Sequence, residues 1–169
     1  MNDRKNRREQ LTMIWMDTSW EDIATYIGPN AARFRSAWEK QRQKYLNQKF
    51  RIARTFSWPA FLLLYVWFFY RRQWFVASIL LILPIVAVLV FPAASGGLAG
   101  ISVVAACMAK SVYLQDSIPK IAKIRANEVN PTALRSALEK AGRPSKPAGI
   151  AAGICFAASV LVTVISIIR

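Results

Sequence analysis

The residue types that most often do chemistry are scarce in this chain and poorly placed for it. There is no histidine among the 169 residues, which removes the commonest general base and the commonest metal ligand. The nine carboxylates all fall outside the long apolar stretches. Cys107 and Cys155 lie inside those stretches without CxxC spacing, so they read as buried structural thiols, not as zinc ligands or nucleophiles. Neither GxxxxGK[ST] nor GxGxxG occurs to cradle a phosphate. No catalytic residue, metal or cofactor is therefore expected, and the chain is not expected to be an enzyme. What it has in excess is positive charge: 23 Lys and Arg against nine acids, a formal net charge of +14.

The elements carrying that charge are set by hydropathy. Apolar residues make up 54% of the chain, and two stretches hold no charge at all, Gln73 to Ala109 (37 residues) and Pro147 to Ile168 (22 residues). Soluble domains rarely carry such runs, so the composition predicts an integral membrane protein. The first fifty residues contain no apolar signal-peptide core followed by a small-residue cleavage site, so the apolar helices themselves are expected to direct insertion. The longer stretch suits two crossings. "FPAASGG", Phe91 to Gly97, supplies the turn of a tight hairpin between a helix from Trp74 to about Phe91 and one from Gly96 to about Leu114. Lys110, in the last turn of that second helix, reads as a base snorkelling to the headgroups. The last crossing runs from Ala148 to Ile168.

Orientation follows from where the bases sit. Twelve lie in Met1 to Arg54 and eight in Lys110 to Lys146, while Pro92 to Gly97 has none. Both basic regions are then cytoplasmic and the hairpin turn faces out. The aromatic run "FSWPAFLLLYVWFFY", Phe56 to Tyr70, complicates this picture. Sixteen uncharged residues separate Arg54 from Arg71, about 24 Å of helix against a hydrocarbon core of about 30 Å. Arg51 and Arg54 precede the run and Arg71 and Arg72 follow it, so both ends favour the cytoplasmic side. An interfacial or re-entrant helix satisfies both pairs. Trp58, Trp67, Tyr70, Arg71, Arg72 and Trp74 are its expected membrane-interface residues, and Pro59 fits its first turn. The rival arrangement is a tilted fourth crossing through thinned bilayer.

Two polar pieces remain. In Met1 to Arg54, Ser19 with Asp22 resembles a capping-box start, Gly28 ends that helix, and Pro29 or Asn30 opens the next. Trp20, Ile23, Ala24 and Ile27 share one face, and Phe34, Trp38 and Tyr45 another, which predicts a helical hairpin closed by aromatics. Its outer face presents Arg33, Arg35, Lys40, Arg42 and Lys44, a surface for anionic lipid or a protein partner; the plainer reading is a solvated face obeying the cytoplasmic charge bias. In Gln115 to Lys146, "NPTALRSALEKAG" reads as a short helix capped by Asn130, opened by Pro131 and stopped at Gly142, with Leu134 and Leu138 as a thin apolar stripe.

Small residues recur at four-residue steps in the apolar helices: Gly96 with Gly100, and Gly149, Gly153 and Ala157. Such steps let backbones approach closely. Packing of the last helix against the hairpin is the first reading, and a homo-oligomer seam the second.

The order "YIGPNAARFRSAWEK", "FSWPAFLLLYVWFFYRRQW", an apolar hairpin and "YLQDSIPKIAKIR" resembles the bacterial membrane proteins grouped as domain-of-unknown-function family 2628. Members share a Val-Gly or Ile-Gly turn before an aromatic-rich helix, a Phe-Asn-Trp-x-Ala-Phe run and a following Trp-x-x-Tyr-Arg-Lys. The matching positions are Ile27, Gly28, Trp38, Phe56, Trp58, Ala60, Phe61, Trp67, Tyr70 and Arg71. Ser57 stands for the usual Asn, Pro59 for a small residue and Arg72 for the Lys. The resemblance covers Tyr26 to about Arg125. It implies a multi-pass protein of the bacterial inner membrane with no assigned activity, and it supplies no catalytic residues.

The expectation is an all-α, polytopic helical membrane protein: about three crossings, the aromatic interfacial or re-entrant helix and the N-terminal cytoplasmic hairpin. Its segments are 1–54 (basic, cytoplasmic), 55–114 (aromatic helix plus transmembrane hairpin), 115–147 (cytoplasmic helical linker) and 148–169 (last crossing). The expected function is a non-catalytic, membrane-anchored interaction or scaffold module that meets the bilayer, anionic headgroups and a protein partner. Nucleic acid is not an expected partner, because that reading rests on formal charge alone. The alternative is a small transport or channel component, whose pathway would have only Ser78, Ser102, Ser111, Ser159, Thr163 and Ser166 besides Lys110 to line it.

Overall fold

The computed structural model describes residues 2–47, 52–90 and 98–168. Its elements are all α-helices: α1 (Asn2–Asp17), α2 (Trp20–Ile27), α3 (Ala32–Leu46), α4 (Trp58–Leu63), α5 (Tyr65–Tyr70), α6 (Trp74–Val90), α7 (Leu98–Asn127), α8 (Pro131–Gly142) and α9 (Lys146–Ile168). Among the described residues there is no strand. The expected turn at 91–97, with Gly96, lies outside them, as does Arg51. The helices form two units. The first comprises 1–55 and 108–143, the second 56–107 and 144–169, and α7 contributes its initial residues to the second and the remainder to the first.

In the first unit the local signals work as expected at α2. Ser19 is its N-cap and accepts from the Asp22 N–H at 3.2 Å. Gly28 ends it at φ 81, a conformation that glycine adopts without a Cβ penalty. Neither Pro29 nor Asn30 opens α3, which starts at Ala32 without a side-chain cap. Ile23, Tyr26 and Ile27 are buried, as are Phe34, Trp38 and Tyr45. Trp20 and Trp38 do meet, with ring centroids 5.4 Å apart, but α2 and α3 are not a self-contained hairpin. The main partner of α2 is α8, and α3 packs against α1.

Helix α1 has little periodicity in its charged first half. Its last turns place Trp15, 1% exposed, in a stack on Tyr45 at 4.8 Å. The segment expected to be a linker is part of this core, with Leu138 of α8 fully buried. Gly142 is the last residue of α8 and not the stop beyond it; a Cβ there would collide with the Tyr26 carbonyl, so this glycine is where the α2 and α8 backbones touch. Helix α7 runs well past the expected end near Leu114. Leu114, Ser117, Ile118 and Ile121 are buried at helical spacing, and Pro119 is accommodated inside the helix. Arg125, near its end, donates to the Asp17 carbonyl at 2.9 Å and lies 3.7 Å from the Asp17 and Asp22 carboxylates. Such exposed ion pairs contribute about 1 kcal/mol or less.

In the second unit the aromatic run is two short helices, not one. The chain breaks at Leu64, whose φ of 37 ends α4 and begins α5. Pro59 occupies the first turn of α4, as expected. Helix α5 packs between α6 and α9 and runs opposite to α9: the Tyr65 ring lies 6.0 Å from Phe156, while Tyr70 lies against Gly149. Those two α9 positions are seven residues, or about 10 Å, apart along the helix. The Tyr70 carbonyl accepts from the Ser145 N–H at 2.9 Å, which gathers Arg71, Arg72 and Lys146 at one end of the unit.

The small-residue seam on α9 is rotated from the expected one. Gly149 and Ala152 are buried and Phe156 packs against the Tyr65–Val66 cluster, whereas Ala157 is exposed. A Cβ at Gly100 or Gly153 would meet nothing within 4 Å. The spacing of three then four residues brings one true helical stripe inward, which a strict four-residue step drifts away from. Among the described residues, one helical stretch, Pro131–Leu161, is long and apolar enough to cross a membrane, its apolar part being α9, and its apolar window is 6% buried; the apolar helix over Trp74–Val86 is shorter.

The four glycines respond differently to a methyl group. Gly142→Ala forces backbone apart and is expected to lower stability by about 2–4 kcal/mol. Gly149→Ala, whose Cβ would sit 2.9 Å from the Tyr70 ring, is expected to cost about 1 kcal/mol through a small ring shift. Gly100→Ala and Gly153→Ala should be neutral, or stabilising by up to about 1 kcal/mol through helix propensity. Thermal unfolding in detergent, followed by near-ultraviolet circular dichroism, checks this ranking.

Candidate functional site

The five bases assigned to one outer face of α3 do different things. The Arg35 Nε donates to Glu39 at 3.1 Å, and its guanidinium lies 5.9 Å from the Trp20 ring centroid. Arg42 reaches the Met16 carbonyl at 3.5 Å and lies over Trp38 at 5.3 Å. Both therefore brace the first unit. Arg33 and Lys40 are exposed. Lys44 donates from Nζ to the Ile52 carbonyl at 2.7 Å.

That last bond marks a cavity of about 580 Å³ at the C-terminal end of α3. One wall is a single helical face, Lys40, Gln43, Lys44 and Asn47; the other is the returning chain, Ile52, Ala53 and Arg54. The second wall is pinned from both sides. The Ala53 N–H donates to Gln41 Oε1, and the Ala53 carbonyl accepts from Ser111 Oγ of α7. Gln41, Ser111 and Ala53 are all fully buried. A buried peptide left unpaired costs about 1–3 kcal/mol at each group, so these two side chains fix where the extended chain can lie. The cavity thus brings together Lys40 and Lys44, both anticipated, with Arg54, which the sequence placed only as a flank of the aromatic run. Gln43, Asn47 and the Gln41–Ser111 clamp were missed. The 40, 43, 44, 47 spacing was a readable helical face, but nothing local announces the wall it faces.

The residues expected at a membrane interface divide as well. Trp58 and Trp74 are 67% and 53% exposed, and Tyr70 and Arg72 are exposed too, with Arg71 half-buried. Trp67 is 7% exposed and meets Phe68 edge-on at 4.9 Å. It is an interior ring of the second unit, because the break at Leu64 turns α5 inward between α6 and α9. Cys155 is exposed and Cys107 half-buried, both as free thiols, in place of the burial expected. Two of the hydroxyls considered as pathway lining are used internally, Ser111 on Ala53 and Ser159 on the Cys155 carbonyl at 2.8 Å.

The family described as "Protein of unknown function (DUF2628)" matches residues 17–124, a segment that starts at the end of α1 and stops just short of the end of α7. The chain belongs to this family. No curated protein and no solved structure matches it. The DUF2628 segment contains every residue lining the cavity and the whole aromatic run, but not α8 or α9. Each unit is therefore completed from outside the DUF2628 region, α2 by α8 and α5 by α9.

Gln41→Leu removes the acceptor of the Ala53 amide without emptying the site. It is expected to destabilise the first unit by about 1–3 kcal/mol, and the Ala53 amide should change from slow to fast hydrogen exchange. Ser111→Ala should act on the same segment, and the double variant should cost less than the two singles together, because both hold one peptide. Exchange measured by mass spectrometry on the peptide spanning 52–56 tests both.

Proposed function

We propose that this protein is a non-catalytic integral protein of the bacterial inner membrane, with the second unit embedded in lipid and the first acting as a basic cytoplasmic module that binds a protein partner or anionic lipid. One observation carries the reading. Among the described residues, every exposed large apolar side chain except Met13, Leu46 and Val129 lies in the second unit. Those on α6 alone include Phe75, Ile79, Ile82, Leu83, Ile85, Val86 and Val90. Each is about half exposed or more, so in water each would forgo about 1 kcal/mol of burial, a sum comparable to the net stability of a domain, about 5–15 kcal/mol. Hydrocarbon removes that conflict.

Charge supports the same division. The second unit holds only Arg71, Arg72, Lys146 and Arg169 as charged residues and no carboxylate. The first three gather at one end, as a cytoplasmic collar meeting lipid phosphates would. The aromatic run then serves as a re-entrant element: α5 runs back along α9 toward the collar, and its backbone breaks at Leu64, where neighbouring helices cover it. Irregular backbone at membrane depth is tolerated when protein encloses it. Helices α6, the apolar half of α7, and α9 make three crossings, with both basic regions on the cytoplasmic side. The lack of histidine and of carboxylates in the second unit supports a role without catalysis.

Substituted cysteines in intact cells, with Cys107 and Cys155 replaced by alanine, test this topology. A membrane-impermeant maleimide should modify Ser95→Cys from outside and reach Arg72→Cys and Asn130→Cys only after permeabilisation. Arg72 is chosen because it is exposed, whereas neighbouring Gln73 is 5% exposed and would resist labelling on either side. External labelling at Arg72→Cys would mean that the aromatic run crosses, and the re-entrant arrangement would be wrong.

A further inference from the structure

We infer that the cavity at the end of α3 is a phosphate site, taking a phosphomonoester or phosphodiester either as a lipid headgroup or free in solution. The inference deepens the anionic-ligand part of the proposed function and rests on it, but its physical basis is the cavity alone. Lys40, Lys44 and Arg54 line one half-open space, and among the described residues no carboxylate lines it. The α3 carboxylate that could have offset them, Glu39, is engaged by Arg35. Three like charges brought to one concave surface repel each other, and a ligand of opposite charge relieves that repulsion while gaining charge-assisted hydrogen bonds.

The donors suit one phosphate. Lys44 spends one N–H on the Ile52 carbonyl, which holds its ammonium at the cavity wall and leaves two further N–H bonds. Arg54 brings a planar fork that matches a pair of phosphate oxygens. Gln43 and Asn47 add amide donors beside them. The carbonyls at the C-terminus of α3 oppose an anion, but their partial charge of about half a unit is outweighed by three full cations. The volume, about 580 Å³, has room for a phosphate with an organic substituent, and Ile52 and Ala53 give that substituent an apolar wall. A nucleic-acid strand is a poorer fit, since none of the described lining residues is an aromatic on which a base could stack.

The test is protection of lysines from acetylation in the full-length protein, quantified peptide by peptide by mass spectrometry. In detergent, inorganic phosphate titrated at constant ionic strength should slow acetylation of Lys40 several-fold while leaving exposed Lys123 and Lys140 unchanged. In nanodiscs without added phosphate, replacing phosphatidylcholine by phosphatidic acid should do the same if a lipid supplies the group; protection by inorganic phosphate alone assigns the site to a soluble phosphate. Arg54→Gln should weaken protection at least about tenfold, through loss of the charged, two-pronged contact to the phosphate, with Ala53 amide exchange unchanged as evidence of an intact wall. Equal slowing at every lysine, no slowing in either arm, or full protection in Arg54→Gln would overturn the site. The detergent arm needs no bilayer, so a failed topology would leave it standing, and its own failure would leave the membrane anchor untouched.

Discussion

The peptide unit at Ala53 is the point on which the architecture turns. It is buried, so its N–H and carbonyl each need a partner, and Gln41 of α3 and Ser111 of α7 supply them. Three segments far apart in sequence are thereby held to one geometry: α3, the extended chain after it, and the middle of α7. Within the second unit, the Ser57 N–H donates to the Ala106 carbonyl at 3.1 Å. The cavity wall and the placement of Arg54 follow from the clamp at Ala53.

The two units meet the cost of burial differently. The first has a water-compatible design: aromatic and aliphatic side chains inside, charge outside, and cations such as Arg42 lying over rings where their stems cover apolar surface. The second inverts the arrangement, with Trp67 and Phe68 buried and many aromatic and aliphatic side chains, Trp58, Trp74 and Phe75 among them, exposed. Its internal attraction cannot come from excluding water if its surroundings are hydrocarbon. Close approach then matters more, which is the role of Gly149 against the Tyr70 ring and of Ala152 beside Val66. A single chain built to these two rules needs few polar contacts in one half and a precise set in the other.

The bases on α3 divide between bracing and display. Arg35 and Arg42 close the helix packing, and Lys40 and Lys44 face a space shared with Arg54. A helical face with three or four bases is common and says little by itself. Its meaning changes when a second wall carries another base and brings no acid.

Much of this was legible residue by residue. The helical class, the cap at Ser19, the stop at Gly28, the helix from Trp74, the inward rings Phe34, Trp38 and Tyr45, and the DUF2628 resemblance all rest on local signals: side-chain periodicity, capping hydrogen bonds and backbone freedom act within a few residues. The break at Leu64 was not legible, because nothing in a Leu-Leu-Leu-Tyr run asks for a positive φ; packing of α5 against α9 imposes it. Nor could spacing show that Gly142 meets the Tyr26 carbonyl, that the α9 seam runs through Ala152 and not Gly153, or that Trp67 turns inward. Each depends on a partner more than fifty residues away. The sequence by itself determined which segments are apolar and where α2, α6 and α8 begin, because hydropathy and capping belong to neighbouring residues; the tertiary structure decided how far α7 runs, where the aromatic run breaks and which faces meet, because a face has no direction until another backbone lies against it.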